Sequence, residues 1–358
     1  MLLTIGIFIT ILIVLILVHE LGHFVAAKWM GIRVEEFGIG YPPRAWGKKI
    51  GETVYSLNWI PAGGFVRLYG EDEHHPEEIT RDKSNAFFAK KPWQRAIVLT
   101  AGVAMNVLLG WLLISFVLTQ GVLVPVEDLR IEEVSPGSPA EEAELQPNDI
   151  IRKFTVADGT EYEIKSTTDL INATQEHVGE TITLSVERGN DALTINIVPR
   201  EEYPEDQGPM GVVVSNMVEK RYSLFEAPMV GLSHVSDMIR QLVTGVGDML
   251  WRLITFQRQQ VDITGPVGIG RLVGQARSFG AIAVLELMAI LSVNLAVLNI
   301  LPFPALDGGR LFFVVIEGLT GRRVKAQWES YVHQIGMALL LLLLFLITIN
   351  DIVRLVQG

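Results

Sequence analysis

The stretch Val18-His19-Glu20-Leu21-Gly22-His23 closes a run from Met1 to Val18 that contains no charged residue, and the apolar character resumes through Ala27. A membrane span needs about 20 apolar residues, so this run reads as a transmembrane helix. The first Lys is Lys28, so there is no basic segment ahead of the apolar run and the span is expected to stay uncleaved rather than serve as a signal peptide. On a helix, positions i and i+4 share a face, so the His19 and His23 imidazoles converge while Glu20 projects beside them. This is the HExxH arrangement of zinc hydrolases, in which the two histidines bind metal and the glutamate acts as general base. With seven histidines in 358 residues, random placement gives roughly 0.01 such motifs, so chance does not account for it. The alternative is a pair of histidines packed in a helix bundle. It is weakened by the cost of ionisable groups inside a span, which suggests function by default.

The rest of the chain is consistent with a membrane protein. The composition is 49% hydrophobic and 19% charged, with no cysteine. Disulfides, thiolate zinc sites, iron–sulfur clusters and cysteine nucleophiles are therefore excluded, and any metal must be held by His, Asp or Glu. A second span is expected within the uncharged stretch 96–126, a third within 287–306, and a fourth from about 331 to 349, including the Leu-rich stretch 338–346. Residues 119–224 hold 21 Asp and Glu against 8 Lys and Arg. Most of the acidity thus belongs to one soluble domain inserted in a membrane protein, which argues against nucleic acid as a partner. The loop 28–95 carries 11 Lys and Arg, and Arg310, Arg322, Arg323 and Lys325 follow the third span. Basic loops are retained in the cytoplasm. The amino terminus, the acidic segment and the carboxyl terminus are then expected outside.

Two histidines leave a zinc site short of a third protein ligand. Glu35 and Glu36 are near, but they follow Gly31 outside the span. The better candidate is Asp307, in Asn299-Ile300-Leu301-Pro302-Phe303-Pro304-Ala305-Leu306-Asp307-Gly308-Gly309. There two prolines break the helix and two glycines free the backbone, so a carboxylate can be offered from non-helical chain lining a polar cavity.

These residues resemble the site-2 protease family of intramembrane zinc metalloproteases, and within it the regulator of sigma-E protease group. The resemblance rests on His19-Glu20-xx-His23 in a first span, on Asn299-xx-Pro302-x-Pro304-xx-Asp307-Gly308 near a later one, on the extracytoplasmic domain between them, and on Gly63-Gly64-Phe65-Val66-Arg67-Leu68-Tyr69-Gly70-Glu71-Asp72. It covers essentially the whole chain. It implies Zn2+ bound by His19, His23 and Asp307, Glu20 as general base, and Asn299 helping to hold or polarise the substrate. It also implies single-span membrane proteins as substrates, such as an anti-sigma factor or remnant signal peptides, and a home in the bacterial cytoplasmic membrane with the active site toward the cytoplasm. Two departures stand out. Val103 follows Gly102 where the family commonly has proline, and only one PDZ-sized segment is present where the best-known members have two.

The expected fold is a polytopic α-helical membrane protein with four transmembrane helices, a cytoplasmic re-entrant β-loop region and one α+β PDZ-like extracytoplasmic domain. Its segments are a first transmembrane helix at 1–27, a cytoplasmic loop with re-entrant strands at 28–95, a second span at 96–120 and a PDZ-like domain at 121–203. An amphipathic helical linker at 204–285, a third span with the ligand loop at 286–309, a cytoplasmic loop at 310–330 and a fourth span with tail at 331–358 complete the order. Within the first loop, short strands are expected at 53–60 and 65–69; the family uses such strands to pair with substrate backbone. Within the acidic domain a strand at 130–134, a short helix after Ser138-Pro139, a strand at Ile150, a helix at 168–177 and a hairpin turning at Gly189-Asn190 suit a PDZ domain of the permuted bacterial kind, which would bind a strand or free carboxyl terminus, or block access. Apolar residues at 235, 239, 242, 246, 249 and 253 alternate in steps of three and four, predicting an amphipathic helix. His74, His75, His177, His234 and His333 lack convergent partners and read as solvated or structural. Residues 264–269, Thr-Gly-Pro-Val-Gly-Ile, form a loop to which no chemistry is assigned.

Overall fold

The computed structural model describes residues 2–71, 83–204, 207–255, 265–324 and 326–357. His74, His75, Asp72, Thr264 and Lys325 therefore lie outside the described residues. The chain divides into two compact units, Met1–Gln120 with Tyr222–Gly358, and Gly121–Arg221.

The first unit is helical, with one small sheet. Helix α1 (Leu2–Trp29) leads into strands β1 (Val34–Ile50) and β2 (Thr53–Leu68), then α2 (Pro92–Gln120). After the insertion come α5 (Ala227–Ile254), α6 (Pro266–Phe279), α7 (Ala281–Ile300), α8 (Asp307–Thr320) and α9 (Ala326–Gln357), while α3 (Pro139–Glu142) and α4 (Thr167–Glu176) belong to the second unit. Four of these helices, Leu2–Trp29, Pro92–Gln120, Ala281–Ile300 and Gln327–Arg354, are long and apolar enough to cross a membrane. Large apolar side chains such as Leu112, Phe116, Leu298 and Leu343 are exposed on them, as expected when lipid is the solvent. Helix α2 is the hub, packing against α1, α5, α7 and α8. Trp111 Nε1 donates to the Pro228 carbonyl at 2.8 Å, which ties α2 to the first turn of α5. The α1–α2 crossing is made possible by two glycines. A Cβ on Gly22 would stand 2.4 Å from the Ala101 carbonyl oxygen, and one on Gly102 would stand 2.5 Å from His23 Nε2, so the two backbones meet directly in the manner of small-residue helix contacts in membranes. Helix α2 runs unbroken through Val103.

The sheet of this unit is more extended than two short strands. Residues 53–57 pair with 46–50 on one side and 36–39 on the other, and residues 64–68 pair with 34–39. Four strand segments thus lie side by side, and α1 packs on β2.

The second unit has its own core around Phe154, Leu129, Ile131, Ile151, Leu170 and Leu184. Strands β3 (Val122–Val134), β4 (Ile150–Val156), β5 (Glu161–Glu163), β6 (Ile182–Arg188), β7 (Asp191–Ile197) and β8 (Val212–Lys220) form a sheet in the order β7-β6-β4-β3-β8, with β5 on β4. Helices α3 (Pro139–Glu142) and α4 (Thr167–Glu176) complete it. The latter opens with a capping box, Ser166 and Asp169 satisfying each other's backbone amides. Inside, the Asp149 carboxylate accepts from Arg188 Nε and Nη2 at 2.8 and 2.7 Å and from the Gln146 amide at 2.9 Å.

Several expected boundaries move. The domain placed at 121–203 continues to Arg221, because Met210 is buried in its core and β8 pairs with β3 from Val134↔Val212 to Val122↔Lys220. An end strand with one face in solvent carries a weak alternation, which is why it read as linker. The stretch 204–285 accordingly contains β8 and α6 besides the amphipathic α5. The loop expected at 310–330 is mostly α8, whose Arg310 and Glu317 look like loop charges but are paired with Glu71 and Arg95. The second, third and fourth helices start earlier than read, at Pro92, Ala281 and Ala326, because capping turns extend beyond the apolar stretch.

Candidate active site

Three ligand atoms meet inside the first unit. His19 Nε2 and Asp307 Oδ2 are 2.9 Å apart, His23 Nε2 and Asp307 Oδ2 3.2 Å, and the two Nε2 atoms 3.1 Å. Both histidines are buried, and among the described residues this is the group of His, Asp and Glu side chains placed to hold a metal ion. The α1 backbone brings His19 and His23 together through their i,i+4 spacing. Asp307 arrives from α8 after a sharp reversal. Leu301 leaves α7 in extended conformation, Pro302 and Pro304 prevent the helix from continuing, and Ala305 takes a φ of 76°. The Ala305 amide donates to His333 Nδ1 at 2.9 Å, so His333 of α9 steadies this loop. Sequence reading left His333 without a partner because its partner is a backbone amide. Gly308 is required where α8 folds back, since a Cβ there would meet the Leu301 carbonyl oxygen at 2.1 Å. Farther along α8, Glu317 pairs with the buried Arg95 of α2 at 2.6 Å, holding the helix that offers Asp307.

The donor set fits a cation. His23 Nδ1 lies 2.8 Å from the Val98 carbonyl oxygen, which can only accept, so the ring proton sits on Nδ1 and neutral His23 presents a bare lone pair at Nε2. That lone pair faces a carboxylate oxygen at 3.2 Å. Two lone pairs in contact call for a proton or a metal ion between them. The edges of the triangle, 2.9 to 3.2 Å, are short enough for one ion with bonds of about 2.0–2.1 Å to reach all three atoms.

Glu20 is not part of the triangle. Its side chain lies beside the strand segment 64–68, its Cγ 3.7 Å from where a Cβ on Gly64 would stand. Asn299 sits on the last turn of α7, half-buried, and makes no hydrogen bond with His19, His23 or Asp307. Glu36, a nearby candidate in sequence, is engaged elsewhere. Burial would raise its carboxyl, but the Ser56 hydroxyl and the Arg44 guanidinium, 2.7 Å away, hold it below the usual carboxylate range. Residues 265–268, which carried no assignment, also find a role in packing: Asp351 of α9 accepts from the Gly268 amide at 2.8 Å and the Gly265 amide at 3.3 Å, capping α6.

The second unit holds a separate groove. A cavity of about 220 Å³ lies between α4 and the end strand β8, lined by Leu170, Ile171, Thr174, Val212 and Val214 and closed by Met210. Among the described strands β8 pairs only with β3, so its other edge is open to an added strand.

Residues 7–343 match the profile of Peptidase family M50. The chain belongs to this family. A relative from Clostridium perfringens, provisionally named a zinc metalloprotease, is 37% identical over 95% of both chains. The zinc metalloprotease RasP of Geobacillus kaustophilus is 31% identical over 96% of both. The regulator of sigma-W protease RasP of Bacillus subtilis is 28% identical, covering 97% of this M50 peptidase and 98% of the relative. The expected likeness to site-2 proteases thus holds at the level of the family.

Proposed function

We propose that this M50 peptidase is an intramembrane zinc endopeptidase that cuts single-span membrane proteins within or beside the bilayer. The observation that carries the reading is the triangle of His19, His23 and Asp307 with Glu20 on the adjoining helical position. Zinc suits two imidazoles and one carboxylate with an open fourth position, and it is the metal in the names of the relatives above. When bound there it would supply Lewis acidity toward water and the scissile carbonyl. Glu20 takes the proton from the attacking water and returns it to the leaving amine, the role of a general base that then acts as acid. Asn299, near the ligand loop and free of bonds to the three ligands, holds the substrate.

A transmembrane substrate arrives as a helix whose peptide bonds are shielded by their own hydrogen bonds, so a segment must be drawn out before attack. The segment 64–68 is an edge of the small sheet beside Glu20, and strand addition to it would hold the unwound peptide extended. The groove between α4 and β8 supports a PDZ-like role for the second unit, taking a strand or a free carboxyl terminus and so favouring trimmed substrates. Basic residues in 28–95 support a cytoplasmic placement of the active site in a multi-pass protein of the bacterial cytoplasmic membrane, with the second unit outside. An anti-sigma factor and remnant signal peptides are the substrate classes, the first in keeping with the sigma-W regulator of Bacillus subtilis. The test is incubation of detergent-purified protein with a panel of single-span peptides, comparing wild type with Glu20→Gln. Cleavage by wild type alone is expected. Equal turnover, or none in either, would indicate a catalytically silent scaffold.

A further inference from the structure

Both imidazoles of the triangle are held from behind by the same helix. His23 Nδ1 faces the Val98 carbonyl at 2.8 Å, and two turns farther along α2 Asn106 Nδ2 stands 3.3 Å from His19 Nδ1. Asn106 is fully buried, and its side-chain oxygen Oδ1 has no partner. Its backbone carbonyl accepts from Ser292 Oγ at 2.8 Å, so this turn of α2 is also pinned to α7. A buried amide oxygen with nothing to accept is uncommon, and here it belongs to the side chain that faces His19 Nδ1.

The chemistry of the ring accounts for it. While His19 Nε2 donates to Asp307, Nδ1 is bare and accepts from Asn106 Nδ2. Once Nε2 is given to a metal, the neutral ring carries its proton on Nδ1, and an N–H facing an NH₂ group would be left unsatisfied. The two ends of the amide have nearly the same size, so a half-turn about the Cβ–Cγ axis places Oδ1 where Nδ2 stands and gives the Nδ1 proton an acceptor. We propose that Asn106 is the positioning residue of His19, its Oδ1 accepting the Nδ1 proton and thereby fixing the tautomer that presents Nε2 to zinc. This rests on the reading of His19, His23 and Asp307 as zinc ligands. A backbone carbonyl can only accept, as Val98 does for His23; an amide can face the ring in either state, so His19 Nδ1 keeps a partner both with and without metal at Nε2. Partners of this kind orient metal-binding imidazoles and raise their basicity.

The experiment measures zinc affinity of the full-length, detergent-purified chain by chelator competition for wild type, His19→Ala, Asn106→Leu and Asn106→Asp. Asn106→Leu, close in size but without an acceptor, should lose about 10–100-fold in affinity. Asn106→Asp, which keeps an acceptor and has no donor, should stay near wild type. Wild-type affinity in Asn106→Leu would overturn the proposal while loss of zinc in His19→Ala left the ligand reading standing; unchanged zinc in His19→Ala would overturn both. A second readout needs no variant at Asn106: nitrogen NMR of ¹⁵N-histidine protein loaded with zinc, with His19 assigned by its absence from His19→Ala. The proposal expects a protonated Nδ1 at His19, and a bare Nδ1 there would overturn it even if the leucine variant failed to fold.

Discussion

Gly102→Ala isolates the contact on which the site geometry depends. In a helix interior this exchange is ordinarily favourable by about 0.8–1.0 kcal/mol, because alanine has the better helix propensity. Here the new Cβ would lie 2.5 Å from His23 Nε2 and 2.8 Å from His19 Cε1 and Nε2. Overpacking of this kind costs about 1–3 kcal/mol, so the clash outweighs the propensity gain. The helix cannot slide away cheaply, since the Gly22 side of the crossing is already closed by the Ala101 carbonyl, 2.4 Å from where a Cβ would stand. The strain falls on the two imidazoles, and 1–3 kcal/mol withheld from metal binding is a loss of roughly 5–150-fold in affinity. Chelator competition on purified protein reads this directly, with Leu112→Ala, an exposed position on the same helix, as the control expected to bind zinc normally. Wild-type zinc affinity in Gly102→Ala would refute the close approach of α2 to the ligand rings.

The other predictions concern topology and the second unit. Because the chain has no cysteine, single cysteines at Ser84 and Asn190 give a clean labelling test: Ser84 should be reached only from the cytoplasmic side and Asn190 only from outside, and the reverse would invert the orientation. Asp149→Ala should destabilise the second unit by about 1–3 kcal/mol, since it removes the hydrogen bonds accepted from Arg188 and leaves the Gln146 amide without its acceptor; hydrogen exchange of the β4 and β6 amides would register it, and unchanged protection would argue against the pair. Burial alone would raise the Asp149 carboxyl, but the hydrogen bonds from Arg188 and from the Gln146 amide bring it below the ordinary carboxylate value. A depressed folded-state value means the stabilisation is complete above about pH 4, the unfolded value, and is lost as pH falls through the lower folded one; the same exchange measurement across pH should show protection falling only on the acid side. Because Val122 pairs with Lys220, the ends of this unit are adjacent and it can be replaced by a short glycine linker between Gln120 and Tyr222. That variant should still bind zinc and cut short substrates while beginning to cut untrimmed ones; loss of all cleavage in zinc-loaded protein would show that the unit delivers substrate rather than filtering it.

What could be read from the sequence depended on whether a signal lay in residue types at short spacing. His19, Glu20 and His23 were legible because helix geometry converts a separation of four into a shared face, and because charge is conspicuous in an apolar run. Asp307 was legible through the prolines and glycines that announce a broken helix, although nothing in its local sequence says that it meets His19, 288 residues away. The Val98 carbonyl could not be read, since every residue has one. Asn106 and Gly102 carry no local sign of their roles, which depend on the histidine rings that face them from α1. The amphipathic α5 announced itself through its period, whereas β8 and α8 did not. One is an end strand with a solvated face, and the other owes its charges to partners distant in sequence, Glu71 and Arg95.

Zinc K-edge X-ray absorption of the purified chain reads whether His19, His23 and Asp307 hold a zinc ion. One zinc per chain is predicted, with scattering from two imidazole rings and a carboxylate oxygen in the inner shell, and with that oxygen lost and zinc weakened in a still-folded Asp307→Ala variant. Zinc at full occupancy with an unchanged spectrum in Asp307→Ala, or a wild-type spectrum without imidazole scattering, would contradict it.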